Sequence, residues 1–93
     1  MDWPERFAEE LSSASGGAAG SGGLDRVEVG TMLRLSREVA HRTERRWAPV
    51  ATYVAGRFVA AQLAAGVPLE DALAEAERIA EMLLPPPSAE EPG

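Results

Sequence analysis

Residues Leu33–Gly56 read LRLSREVAHRTERRWAPVATYVAG, and the fold turns on what happens in the middle of that stretch. Upstream of Pro49, the residues Val29, Leu33, Ser36, Ala40, Thr43 and Trp47 follow 4-3-4-3-4 spacing, which lines them up along one stripe of a helix. Met32 and Val39 widen that stripe. At about 100° per residue, Arg34, Arg37, Glu38, His41 and Arg45 fall on the opposite face. Pro49 lacks an N–H and constrains Ala48 away from helical backbone, so the helix is predicted to end near Arg46 or Trp47. The same proline suits the first turn of a new helix. The expectation is a chain that folds back at Ala48-Pro49. Two helices then bury the seam from Val29 to Trp47 and turn guanidinium groups and an imidazole outward.

Downstream, Val50 to Ala65 carries only Thr52, Arg57 and Gln62 as strongly polar side chains, the pattern of a helix at the buried centre of a bundle. As a membrane span, roughly 17 residues with a central arginine are short and costly. Its many alanines and Gly56 permit close helix approach, Tyr53, Phe58 and Leu63 supply bulk, and Gly66 supplies a left-handed stop. A last helix is predicted from Leu69 to Leu84, with Glu70 and Asp71 in its first turn. Its apolar stripe runs through Leu69, Leu73 or Ala72, Ala76, Ile79 or Ala80, and Leu83. Pro85-Pro86-Pro87 stops it, and residues 85–93 read as a disordered Pro-rich acidic tail.

Upstream, Asp25 is an N-cap candidate with Glu28 three positions on, close to a capping box. Residues 13–23 are Gly, Ser and Ala throughout and read as a flexible linker. Residues 1–12 form a short amphipathic helix, capped by Asp2, with Trp3, Phe7 and Leu11 on one stripe. No strand-type alternation occurs. The fold class is therefore all-α: a bundle of three main helices over residues 24–84, preceded by a short N-terminal helix and a Gly/Ser linker.

Composition narrows the function classes. The 93 residues hold 15 acidic and 9 basic side chains, a formal charge of -6, and no Cys. Disulfide scaffolds and thiolate metal sites are excluded, and with a single histidine no metal site is expected. The acidic start Met1-Asp2-Trp3-Pro4-Glu5 is not that of a signal peptide, so a soluble, cytoplasmic protein is expected. The charge is uneven: residues 26–57 carry seven Arg against three Glu, between two acidic ends. Three readings compete for this arginine-rich face. It pairs with the acidic last helix inside a structural, self-associating bundle; it holds an anion or nucleotide phosphate on Arg forks; or it docks on a protein. Nucleic-acid binding is disfavoured by the negative total charge and the lack of aromatics among the arginines.

His41, between Glu38 and Arg45, has the spacing to be oriented for acid–base work; a surface histidine in a charge network is the plainer reading. Ser36 lies on the apolar stripe and the remaining serines in or beside the linker and in the tail, so no catalytic set is assigned and the chain is not expected to be an enzyme. Trp47 reads as core. With many alanines and few ordered residues, the core is thin, which favours self-association or a protein partner.

The stretch from Leu33 to Gly56 also resembles an actinobacterial family of small helical domains of unknown function. That family has the form L-x-L-[AS]-R-[DE]-V-A-H-x-x-x-R-x-x-A-P-[VL]-x-T-[FY]-x-x-G after a D-W-x-x-x-F/L opening, matched here by Asp2, Trp3 and Phe7. Its members stand alone or form the C-terminal part of nucleotidyltransferases similar to molybdenum-cofactor guanylyltransferase. The resemblance implies an accessory module for guanine-dinucleotide cofactor synthesis or insertion, partnered by a nucleotidyltransferase or a molybdoenzyme maturation component. It also implies binding residues Arg37, Glu38, His41, Arg45 and Thr52, with Thr52 in a helix first turn where it meets free amides or an anion. The Gly/Ser linker and Pro68 depart from the family pattern.

Overall fold

A computed structural model describes residues 3–14 and 24–87 of the chain. They form four helices: α1 (Trp3–Ala14), α2 (Arg26–Arg42), α3 (Trp47–Ala64) and α4 (Leu69–Leu83). The Asp2 cap, most of the Gly/Ser linker and the end of the acidic tail lie outside the described residues. The first helix runs two residues further than the sequence suggests, through Ser13 and Ala14.

Local chemistry accounts for the ends of the helices. Asp25 takes the Val27 amide on Oδ1 at 2.7 Å, and the Asp25 amide donates to Glu28 Oε1 at 3.0 Å, which completes the capping box. Gly66 adopts φ 91°, donates to the Leu63 carbonyl at 3.0 Å, and is followed by Val67 donating to Gln62 at 3.0 Å. Those two bonds are a Schellman closure, and the left-handed residue it needs is a glycine because an L side chain is strained at that φ, although the space around it is open.

The break before Pro49 is real but starts earlier than predicted. α2 stops at Arg42, where the Thr43 amide and hydroxyl both return to the Val39 carbonyl, at 2.9 and 2.6 Å. α3 begins at Trp47, so Pro49 is its third residue and its missing N–H is one the first turn leaves unbonded in any case. Ala48 is consequently helical, and buried, rather than extended. A proline sets the latest point at which a helix ends, not the earliest.

The α2 seam also differs from the sequence reading. Thr31, Leu35 and Val39 face the bundle, while Leu33 is 66% exposed and Trp47 43% exposed. Val29, Met32, Ser36 and Ala40 are half-buried. Two small clusters make the core. Leu35, Val39 and Ala55 gather Met32, Ala51, Ala80 and Leu84; Val59, Ala72 and Leu73 gather Met32, Phe58, Val67 and Leu69. α2, α3 and α4 all pack on one another, and no Cα of α1 comes within 8 Å of them.

Candidate functional site

The five polar residues singled out in the sequence do not converge on one site. Arg37, Glu38 and His41 are exposed on α2 as expected. Arg45 is not on that helix: it occupies the turn before α3, where its carbonyl accepts the Ala48 amide at 3.1 Å. Thr52 lies beyond the first turn of α3 and meets no free amide. Its hydroxyl donates back to the carbonyls of Pro49 and Ala48, at 3.0 and 3.3 Å. Arg37 and Glu38 border a shallow recess of about 280 Å3 between α2 and α4, whereas Thr52 lines a separate groove between α2 and α3.

The residue that organises the charged face is Arg42. Its guanidinium donates to Glu81 Oε2 and Oε1 at 2.8 and 2.9 Å, to Glu38 Oε1 at 3.1 Å, and to the Pro85 carbonyl at 2.8 Å. All of this leaves the Arg42 side chain only 7% exposed, its stem packed down and four of its five N–H groups bonded. A second tie joins Arg34 to Glu77 at 3.4 Å. The arginine-rich helix and the acidic helix therefore do meet, through Arg42–Glu81 and Arg34–Glu77. Arg42 sits three residues past Val39 and in line with Leu35, so spacing puts it on their stripe but does not say that this stripe is the buried one.

Electrostatics follow these contacts. The hydrogen bonds from Arg42 hold the Glu81 carboxyl below its ordinary range and raise the guanidinium. The Arg78 guanidinium, bonded to Glu75, lowers that carboxyl in the same way.

At the α2–α3 turn, Glu44 acts as a bracket: it accepts the Trp47 indole N–H at 3.1 Å and pairs with Arg46 at 3.3 Å. The Arg46 guanidinium lies 4.7 Å from the Trp47 ring centroid. Trp47 is thus a clamped surface ring, not part of the core, because its polar edge finds a carboxylate outside.

Two apolar recesses, which the helical pattern did not foretell, are larger features. One, of about 420 Å3, is a hollow behind which Leu35 and Val39 of α2 form the wall, bounded by Val54 and Phe58 of α3 and Ile79 and Leu83 of α4. Val54 and Leu83 stand exposed at its edge. The other, of about 730 Å3, runs between α2 and α3, lined by Val29, Met32 and Leu33 on one side and Gly56, Val59 and Leu63 on the other, with Pro4 of α1 at its margin. Small side chains are the cause: alanines and Gly56 bring the helices together but leave the flanks unfilled. Among the described residues no three His, Asp or Glu side chains gather as a metal site would require, and no helix is long and apolar enough to cross a membrane.

Comparison with known proteins finds no match among curated proteins and none among solved structures. One family does match, over residues 1–91, and with nearly the whole chain covered the protein belongs to it: the domain of unknown function DUF6457.

Proposed function

We propose that this chain is a non-catalytic helical interaction module that assists molybdenum-cofactor guanylylation or insertion by docking on a nucleotidyltransferase or a molybdoenzyme maturation component. The observation that carries the docking part is the open hollow between α3 and α4. About 420 Å3 of apolar space, with Val54 and Leu83 exposed at its edge, is left uncovered in a chain whose own core is small. Such a recess gains free energy when an apolar side chain of another protein fills it. The link to guanylylation is supported by the resemblance of Leu33–Gly56 to domains fused to guanylyltransferase-like enzymes.

The test is calorimetric titration of the chain into a purified guanylyltransferase-like nucleotidyltransferase. Saturable binding that Val54→Asp abolishes is the expected result; absence of binding, or binding indifferent to Val54→Asp, overturns the reading. The anion-binding alternative draws on exposed Arg37 and Arg45, whereas Arg34 and Arg42 are taken up by Glu77 and Glu81. Guanine nucleotides titrated at low ionic strength distinguish it, since binding through Arg37, His41 and Arg45 would weaken as salt rises.

A further inference from the structure

One wall of the α3/α4 hollow is built where α4 runs out. Leu83 and Leu84 both line the hollow, and Leu84 packs on the cluster of Leu35, Val39 and Ala55. Leu83 is 77% exposed, so little packing holds it in place. The Leu84 amide closes the helical ladder on the Ala80 carbonyl at 2.8 Å, and the backbone at Leu84 is already extended. Pro85, Pro86 and Pro87 follow, and none of them has an N–H to donate. Past Leu84, this segment therefore has no backbone donor of its own among the described residues and must be fastened by a side chain.

Arg42 supplies the fastening from α2. Its Nη1 and Nη2 donate to Glu81 Oε2 and Oε1 at 2.8 and 2.9 Å, and its Nε donates to the Pro85 carbonyl at 2.8 Å. Glu81 and Pro85 flank Leu83 and Leu84 in the chain, so one rigid, planar guanidinium grips both ends of the wall. Glu38, one turn back on α2, accepts from Nη1 at 3.1 Å and steadies the fork. Arg42 itself does not line the hollow, and its side chain is too covered for a partner to touch. The Arg34–Glu77 tie joins the same two helices by one longer contact, 3.4 Å between exposed side chains, and lies a turn before Glu81.

We infer that Arg42 is a positioning residue for the hollow: by gripping Glu81 and Pro85 together it holds Leu83 and Leu84 where an apolar side chain of a partner meets them. A wall held in place beforehand need not be ordered at the moment of binding, which is where preorganisation gains affinity. The consequence for docking rests on the nucleotidyltransferase reading; the placement of the wall does not.

Two measurements on the full-length chain test it. Hydrogen exchange of the Leu84 amide, followed by NMR, reads the wall without a partner, and calorimetric titration into the purified guanylyltransferase-like nucleotidyltransferase reads docking. Arg42→Met keeps an apolar stem and removes all four bonds. Glu38, Glu81 and Pro85 are exposed and can turn to water, so the variant is expected to fold. It should speed Leu84 exchange, out of proportion to the buried Val59 amide, and weaken docking, each by roughly tenfold or more, the scale of one charged hydrogen bond. Arg34→Met removes the same charge and should leave both nearly unchanged. Arg42→Lys keeps the charge but loses the fork, and should behave like Arg42→Met. Wild-type Leu84 exchange in Arg42→Met overturns the inference, as do equal losses at Leu84 and Val59, or full protection in Arg42→Lys. So does faster Leu84 exchange with undiminished docking. If the wild type does not bind the nucleotidyltransferase, the docking reading falls, while Leu84 exchange still decides whether Arg42 holds the wall.

Discussion

Truncating Leu35 and Leu33 to alanine, separately, measures which stripe of α2 holds the bundle. The two leucines are adjacent in type and two apart in sequence, but Leu35 is 7% exposed and Leu33 66%. Leu→Ala removes three carbons, worth roughly 2.5 kcal/mol of transfer free energy when all are buried, at ~0.8 kcal/mol each. A sealed cavity would add to this. Leu35, however, already borders the α3/α4 hollow, so the new space merges with an open recess and the added term is small. Leu35→Ala should therefore cost about 2–3 kcal/mol, the lower part of the range for buried leucines. Leu33→Ala should cost less than about 1 kcal/mol. A helical unit of roughly 60 residues has about 3–9 kcal/mol in total, so the first change uses up a large share of it and lowers Tm by roughly 10–20 °C. Urea unfolding followed by circular dichroism reads both, at high dilution so that association does not contribute. Equal losses at the two positions, or a larger loss at Leu33, would refute the observed packing and favour the Val29–Trp47 seam instead.

Other expectations follow from named contacts. Asp25→Ala removes the side-chain acceptor of the capping box and should destabilise by about 1 kcal/mol, seen as reduced urea midpoint at unchanged slope. Gly66→Ala forces a Cβ into the left-handed region at φ 91° and should cost about 1–2 kcal/mol, whereas Gly56→Ala, in mid-helix with open space around it, should raise helix stability by about 1 kcal/mol. Glu81 is held below its ordinary carboxyl range by Arg42, so the stability it contributes is present above ~4.3, the unfolded value, and is lost as pH falls through the lower folded value. The Tm difference between wild type and Glu81→Gln should accordingly be widest near neutrality and shrink in acid; a difference that stays constant from pH 7 to pH 2 would show that the Arg42–Glu81 bond does not titrate with folding.

Much of the architecture was legible in the sequence because it is encoded locally. The Asp25–Glu28 pair, Pro49, Gly66 and Pro85 each act through backbone groups within four residues, and each stands at or next to a helix end in the structure. All-α class, the number of helices and the turn between α2 and α3 follow from these signals and from apolar spacing. What spacing does not supply is the choice between two stripes on one helix. α2 has a wide apolar band through Val29, Leu33 and Ala40, and a narrower one of Thr31, Leu35 and Val39 bounded by Arg42. The narrower one is buried, because its polar members find partners: Thr31 accepts from Arg34 at 3.2 Å, and Arg42 is satisfied by Glu81 and Pro85, 39 and 43 residues away. A guanidinium can be covered only when such acceptors arrive, and their arrival is a property of the assembled bundle.

The same division holds for the candidate site. Chain order alone put Arg37, Glu38 and His41 on one face of α2, since a helix repeats every 3.6 residues wherever it sits. Arg45 leaves that face because α2 ends at Arg42 through the local Thr43–Val39 bonds, whereas occupying Arg42 and leaving two apolar recesses open were decided only by tertiary packing. Small residues from Ala51 to Ala64 permit close approach without specifying what fills the flanks. Local sequence determines where helices start and stop through bonds to neighbouring backbone; which surfaces remain uncovered depends on contacts between residues far apart in the chain, and those exist only after folding.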